Sequence, residues 1–404
     1  MRFSLPPISS PFRSLVLGSL MLSSSTMFLS SVGSTPVMGQ QHSSAIQQVE
    51  QSYLDKKEVV GVVTLVASDE AILHLHASGN ADLSRSAPMQ TDSIFWIASM
   101  SKPVTGACMM ILVDQGKVSL DDPITKHLPE MKDLKTREGK SVVITIRHLL
   151  THTSGMEELK PDEAYTSKNL AEAASRYAKV QVAFEPGSKW RYSQTSINTA
   201  ARIIEVVSGK SFDTFVEEKI FQPLKMKDTT FYLNEQQASR LAKSYKKTND
   251  SFEEAKIGLL AGKDPTFRDR MPAANGGLFS TASDYAQFCR MLLRNGELDG
   301  TRILSAEAVK TLRSIHSGDL ETGFTPGNGW GIGCCVVKNP QGVTEALSSG
   351  SFGHGGAYGT QAWIDPVKNR IYLLMVQRSN FPNSDASDLR RDFQNAALKA
   401  FPAK

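Results

Sequence analysis

The chain has 404 residues, of which 40% are hydrophobic and 21% charged, and its formal net charge at pH 7 is +4. This composition excludes an intrinsically disordered protein, and four cysteines in such a length exclude a small disulfide-stapled domain. Basic and acidic residues are interleaved through the later chain, so we expect no nucleic-acid partner.

The N-terminal segment has a composition of its own. Arg2 and Arg13 come before an apolar run over 15–22, which a serine-rich stretch follows. The first acidic residue is Glu50. This order is typical of a secretory signal peptide, and the alternative is a disordered tail. The apolar run is shorter than the ~20 residues of a membrane span, so we expect no stable membrane span. We predict export to the periplasm or medium after removal of residues 1–39, which lowers the net charge from +4 to +2 because both arginines are lost.

The hydrophobic pattern predicts strands near both ends of the mature chain and helices between them. In chain order the predicted elements are a helix over 43–57, a hairpin over 59–66 and 70–76, an apolar run over 94–98, a helix over 99–115, helices over 198–208, 212–221 and 283–293, strands over 331–337, 361–365 and 370–376, and a helix over 387–401. We therefore predict one α+β domain over residues 40–404. One sheet would form from about 43–98 and 325–404, with an all-helical insertion over about 99–324.

The four cysteines would lie in an oxidising compartment after export, where disulfides are possible. Cys108 falls in an apolar helical stretch, and Cys334 and Cys335 fall in a strand-like run. We expect these thiols and Cys289 to be buried and unpaired.

Ser99 and Lys102 are three residues apart, where the apolar run over 94–98 meets a helix. On a helix this spacing places the ammonium one turn from the hydroxyl, and a desolvated lysine can accept the serine proton. The alternative is a simple helix N-cap at Ser99. Ser244 and Lys247 have the same spacing in a polar segment, and we interpret that copy as surface.

Two later motifs add possible chemistry. Tyr192 follows a Pro-Gly turn, and a neighbouring cation would lower its pKa and make it a general base; the alternative is a partly buried tyrosine with a satisfied hydroxyl. His354 begins a His-Gly-Gly sequence that ends at Gly356, where glycines allow a ligand to approach and strand-edge N–H groups can bind an oxyanion. The alternative is a loop that needs positive φ, with His354 incidental.

The three motifs occur in the order Ser/Lys, Tyr, His-Gly-Gly, and connecting stretches carry the same pattern. These stretches are Ile94–Pro103, Ile146–Gly155, Trp190–Ser193, Ile203–Gly209, Gly276–Leu278, Gly329–Gly333 and Gly353–Gly356. From about residue 45 to 400 the chain resembles the serine β-lactamase and penicillin-binding-protein superfamily, in its class C-like branch of hydrolases, esterases and D-amino peptidases. The resemblance implies a β-lactamase/transpeptidase-like fold, with an antiparallel sheet flanked by helices.

The resemblance also implies residue roles. Ser99 would form the acyl-enzyme, Lys102 and Tyr192 would share the proton transfers, and the N–H groups of Ser99 and Ala357 would form the oxyanion hole beside His354 and Gly356. Neither a metal nor an organic cofactor is implied. Gln194 stands where class C enzymes have an asparagine that contacts the acyl amide.

His354 stands where those enzymes have a lysine, and a histidine supplies little permanent charge near pH 7. The substrate classes that remain open are a β-lactam, a short acyl ester and a D-amino-acid peptide, the last cleaved as by a D-Ala-D-Ala carboxypeptidase or D-aminopeptidase. A non-catalytic relative that binds peptidoglycan is a further alternative. The sequence leaves the oligomeric state open.

Further histidines have ordinary interpretations. His148 and His152 are four residues apart without the carboxylate of a zinc-binding helix, so we expect a structural turn and no metal site. His74 and His76 alternate on one predicted strand, and we expect both on its solvent side.

Overall fold

The computed structural model describes residues 44–160 and 163–403. The predicted signal peptide lies outside these residues. Within them, no helix combines the length and the apolar character that crossing a membrane requires.

Helices and strands follow the predicted order, with strands concentrated near both ends. The helices are α1 (Ser44–Asp55), α2 (Ser101–Asp114), α3 (Ile146–Leu150), α4 (Leu170–Tyr177), α5 (Gln194–Ser208), α6 (Phe212–Val216), α7 (Glu235–Ser239), α8 (Ala282–Leu293), α9 (Ala306–Leu312) and α10 (Asp388–Ala400). The strands are β1 (Gly61–Ala67), β2 (Ile72–Asp82), β3 (Ala87–Pro88), β4 (Phe95–Trp96), β5 (Tyr245–Thr248), β6 (Ser251–Glu254), β7 (Phe279–Ser280), β8 (Glu297–Leu298), β9 (Thr301–Arg302), β10 (Asn328–Trp330), β11 (Cys335–Val337), β12 (Phe352–Gly355), β13 (Gln361–Asp365) and β14 (Arg370–Met375).

One antiparallel sheet contains eight strands in the order β10-β11-β12-β13-β14-β1-β2-β3, which confirms a sheet built from both chain ends. Strand β1 pairs with β14, and Leu65 lies opposite Leu373. Both strands are buried along their whole length because helices cover both faces. Val62 and Val66 join the apolar cluster with α1 and α10, whereas Val63 and Leu65 join the cluster that contains α8.

The insertion between the two halves of the sheet is mostly helical. It also contains the short hairpins β5–β6 and β8–β9, and β4 pairs with β7, so the expectation of an all-helical insertion is corrected in this detail. Helix α2 is buried from Ser101 to Leu112 and is therefore the central helix of this part.

The strand predicted over 331–337 is shorter in the structure. Only its last part forms a strand, β11, whereas residues 331–334 form the tight turn that joins β10 to β11, with the Gly331 N–H donating to the Cys334 carbonyl. Gly333 has φ +72°, and a Cβ there would lie 2.6 Å from the Lys102 carbonyl oxygen. Glycine is required because this turn packs directly on the first turn of α2.

The expected solvent exposure of the two strand histidines is wrong for His74. Its side chain is buried under α1 and hydrogen-bonds to Thr64, whose hydroxyl donates to the buried Glu50 carboxylate. His76 is partly exposed and lies 2.6 Å from the same carboxylate. Helix α1, which contains Glu50, covers this face of β2, where Ser78 also donates to the Glu50 carboxylate. The four cysteines are buried and free, as expected.

Candidate active site

Ser99 lies in a single 3₁₀ turn, Ala98–Met100, that leads directly into α2. Ala98 has φ +46°, a left-handed conformation that is uncommon for a residue with a side chain and that places the next residue in a sharp turn. The Ser101 hydroxyl donates to the Ala98 carbonyl at 2.7 Å and holds the turn closed. Ser99 is partly exposed between buried neighbours, so its hydroxyl can be reached from the surface.

Lys102 is fully buried and lies one turn after Ser99. Its Nζ donates to Ser99 Oγ at 3.1 Å and to the Asn275 carbonyl at 2.6 Å. Burial lowers the pKa of Lys102 to about 7, against the opposing effect of the Glu158 and Asp385 carboxylates. A substantial fraction of this amine is therefore neutral near pH 7, which is the state that can accept a proton.

Tyr192 lies just before α5, with its ring centroid 4.5 Å from Lys102 Nζ. Burial raises the pKa of Tyr192 well above its ordinary value, and its hydrogen bond with Ser99 lowers it by a smaller amount. The expectation that a neighbouring cation lowers this pKa is therefore wrong, because desolvation of the phenolate outweighs the other effects. The Tyr192 hydroxyl is therefore protonated at pH 7.

His354 lies on β12, with Nδ1 2.6 Å from the Gly355 carbonyl and Nε2 3.3 Å from the Tyr192 hydroxyl. A carbonyl only accepts, so Nδ1 carries the ring proton and Nε2 accepts from Tyr192. Burial, reinforced by the Lys102 charge, lowers the pKa of His354 to about 3. The imidazole is neutral at pH 7, so it supplies no fixed positive charge to this side of the site.

The end of β12 lies against the serine turn. A Cβ on Gly356 would lie 2.7 Å from the Ile97 carbonyl oxygen, so only glycine allows this approach. The Gly356 N–H donates to the Thr360 carbonyl at 2.7 Å, and the next residue, Ala357, is exposed. The structure thus brings the predicted His-Gly-Gly edge beside Ser99.

Gln194 is the first residue of α5 and makes two fixed contacts. Its Oε1 accepts from Asn275 Nδ2 at 2.9 Å, and its backbone N–H donates to Glu158 Oε1 at 2.7 Å. Gln194 is therefore tied to Asn275, whose carbonyl holds Lys102. We did not predict roles for Asn275 or Glu158, since no local sequence pattern connects either residue to Ser99.

His152 is a second residue whose position the sequence did not reveal. Its carbonyl accepts the Arg191 N–H at 2.9 Å, and its Nδ1 accepts the Ser193 N–H at 3.1 Å. Both backbone neighbours of Tyr192 are thus bonded to one residue, whose ring also lies 4.5 Å from the Tyr192 ring. Burial lowers the pKa of His152 well below its ordinary value, so the ring is neutral and Nδ1 stays an acceptor. His152 lies in the stretch Ile146–Gly155, one of those that carry the resemblance to the superfamily, and this was the signal that the sequence offered.

His148 caps the N-terminus of α3, where it exchanges hydrogen bonds with Thr145. His152 follows the end of α3, so the two histidines do not share a helix face. Across residues 44–160 and 163–403, no group of three or more His, Cys, Asp or Glu side chains is placed to hold a metal ion. The chemistry that this arrangement supports is nucleophilic attack by a serine with a partly neutral lysine as base.

The chain is similar to known proteins in sequence and in fold. The family model described as Beta-lactamase matches residues 46–397. The chain is similar to esterase EstB of Burkholderia gladioli, with 27% identity over 80% of this chain and 87% of EstB. It is also similar to penicillin-binding protein 4 of Amycolatopsis lactamdurans, with 31% identity over 72% of each chain. Among solved structures, it is similar to EstCE1, a hydrolase with promiscuous acyltransferase activity, with a TM-score of 0.76 and 25% identity over 89% of this chain and 99% of EstCE1.

Proposed function

The chain belongs to the β-lactamase family and is a hydrolase of that family, and from that premise we propose that it is an exported enzyme that hydrolyses an ester or amide through an acyl-enzyme on Ser99. The observation that carries the proposal is the 3.1 Å contact between Lys102 Nζ and Ser99 Oγ, made by an amine whose pKa lies near 7. A non-catalytic binding protein would have no need for such a buried, partly neutral amine beside an accessible hydroxyl.

In the proposed reaction, Lys102 accepts the Ser99 proton as the bond forms between Oγ and the acyl carbon. The N–H groups of Ser99 and Ala357 bind the developing oxyanion. The bond to the leaving oxygen or nitrogen then breaks, the leaving atom takes the Tyr192 proton, and Lys102 returns a proton to Tyr192. In the second half, water attacks the acyl carbon, the same groups remove its proton, and the carboxylic acid leaves as Ser99 is protonated again.

Among the substrate classes, we favour a short acyl ester. β-Lactams and D-Ala-D-Ala peptides bear a carboxylate, which a fixed cation would recognise, and His354 is neutral at pH 7. The similarity to esterase EstB supports the same choice. Amide hydrolysis of a β-lactam or a D-amino-acid peptide is the second candidate, which the similarity to penicillin-binding protein 4 supports.

The test compares a short-chain nitrophenyl ester with a chromogenic cephalosporin, using purified protein and its Ser99→Ala variant. We expect ester turnover that requires Ser99, an acyl adduct on the wild-type protein by intact mass, and little cephalosporin turnover. Cephalosporin turnover equal to ester turnover would favour the second candidate. Failure of every reactive acyl donor to label Ser99 would refute the catalytic proposal. Export is tested separately, by N-terminal sequencing of protein recovered from the periplasm or medium.

A further inference from the structure

Phe324 is an exposed aromatic residue at the candidate active site. It is 46% exposed, and its ring lies edge-on to the Tyr192 ring, with centroids 5.0 Å apart and planes at 72°. It also contacts Trp190, at a centroid distance of 6.3 Å. Phe267 is exposed to a similar extent, 41%, and its ring packs under the Lys263 ammonium instead. Exposing a phenylalanine is unfavourable unless something covers it, which makes its position beside Tyr192 informative.

The backbone holds Phe324 in this place. Asn383 Nδ2 donates to the Phe324 carbonyl at 2.9 Å. Gly323 and Gly327 have φ of +80° and +78°, so the loop turns sharply on both sides. The following residue, Thr325, is buried. The aromatic ring is therefore presented by an anchored loop rather than by a freely moving one.

Charged groups of both signs lie near Phe324 and Tyr192: Lys102 Nζ is 4.5 Å from the Tyr192 ring centroid, and Arg390 stacks on Trp363, which lines the same cavity as Phe324. Phe324, the neutral His354 and the Asp385 carboxyl line one small cavity of about 10 Å³. The carboxylates of Asp385 and Glu158 both act on the Tyr192 hydroxyl through their charge. A carboxylate on the leaving group would lose hydration against the exposed aromatic ring, whereas an apolar group would cover this ring without that loss.

We propose that Phe324 forms the wall of the leaving-group subsite and selects esters whose leaving alcohol is apolar and uncharged over esters whose leaving alcohol carries a carboxylate. This inference rests on the proposed function, in which Tyr192 protonates the leaving oxygen. The leaving atom must then lie beside the Tyr192 hydroxyl, and the contact between the Tyr192 and Phe324 rings places Phe324 within reach of the substituents of the leaving group.

A matched pair of substrates tests this selection. Methyl 4-acetoxybenzoate and 4-acetoxybenzoate transfer the same acetyl group, and their leaving phenols differ in a neutral ester against a carboxylate. We measure kcat/KM for both and divide their ratio by the ratio of their uncatalysed rates. We expect the wild-type protein to prefer the neutral substrate by about tenfold or more.

Substitutions at Phe324 and Phe267 test whether Phe324 causes the preference for the neutral substrate. We expect Phe324→Lys to reduce the preference for the neutral substrate by about tenfold, because the ammonium attracts the carboxylate. Phe324→Ala should lower kcat/KM for the neutral substrate more than for the charged one. Phe324→Leu should retain most of the preference, because leucine is also apolar. Phe267→Lys and Phe267→Ala are the matched controls and should leave the ratio unchanged. Thermal melting of each variant checks that the fold is intact.

A wild-type ratio within twofold of the uncatalysed ratio would overturn the inference while leaving Ser99-dependent hydrolysis intact. The same holds if Phe324 variants change both substrates equally. If the wild-type protein turns over neither substrate and Ser99 is never acylated, the proposed function fails together with the inference, and intact mass distinguishes that outcome.

Discussion

Two regions of the molecule contain a serine and a lysine at the same spacing, and only one of them forms a reactive pair. Ser99 and Lys102 lie on a helical turn, which places both side chains on one face, 3.1 Å apart. Ser244 precedes β5 and Lys247 lies within it, and residues three apart on a strand point to opposite faces. The spacing has chemical meaning only where the backbone is helical.

The second region also corrects an expectation. The surface position expected for the Ser244 copy is wrong for the serine, which is 4% exposed and whose hydroxyl donates to Gln377 Oε1 at 2.8 Å. Lys247 pairs with Glu58 at 2.6 Å on the other side of the strand. Both polar groups thus have structural partners, which makes this region a control within the same chain for the candidate active site.

The largest contrast should come from the two serines. We expect Ser99→Ala to lower ester kcat by at least about 10³-fold, because the nucleophile is lost. Ser244→Ala should keep activity within about twofold but reduce the free energy of unfolding by about 1–3 kcal/mol, since Gln377 loses a buried partner. Steady-state kinetics and denaturant unfolding measure the two effects. Equal losses of activity would remove the distinction between the regions.

The two lysines should differ nearly as much. Lys102→Met removes the base beside Ser99, and we expect a loss of about 10²–10⁴-fold in kcat. Lys247→Met removes an ion pair on a partly exposed strand and should change kcat by less than twofold. Burst kinetics with a nitrophenyl ester would show whether the loss lies in acylation. A Lys102→Met variant with wild-type acylation would exclude Lys102 as the base.

A third prediction concerns His152, which has no counterpart in the Ser244 region. His152 has φ +61°, which Asn and Gly tolerate, and only Asn offers an oxygen where Nδ1 accepts the Ser193 N–H. We expect His152→Gly to lower kcat by about 10²-fold with a small change in KM, because Tyr192 loses its alignment. We expect kcat of His152→Asn to be about tenfold higher than that of His152→Gly. Equal kcat values for the two variants, at equal melting temperatures, would contradict a positioning role.

The smallest expected effect is the response to pH. The neutral amine of Lys102 is the form that accepts a proton, and its pKa lies at about 7. As the pH falls below 7 the amine becomes protonated, so kcat/KM should drop about tenfold per unit, and above pH 8 it should level off. A pH–rate profile from 5 to 9 measures this. A flat profile would show that the titrating base is not Lys102.

Local patterns predicted a large part of the fold. Helix α8 over Ala282–Leu293 and strand β13 over Gln361–Asp365 match the predicted bounds within one residue, because hydrophobic periodicity reflects burial of one face or of both. The predicted strand over 331–337 begins too early, because residues 331–334 form a turn whose cause is contact between Gly333 and α2, far away in the chain.

By itself, the sequence determined the sheet from both ends, the free buried cysteines and the order of the Ser/Lys, Tyr and His-Gly-Gly motifs, because strand period, helical spacing and glycine content are local properties. Only the tertiary structure decided which groups are charged and which are held. The pKa of Tyr192 rises instead of falling because burial outweighs its neighbours. Two supports of the site join residues that are distant in the chain: the Asn275 carbonyl accepts from Lys102, and His152 Nδ1 accepts from the Ser193 N–H beside Tyr192. Local sequence patterns therefore could not reveal these contacts, because they depend on how distant segments pack together.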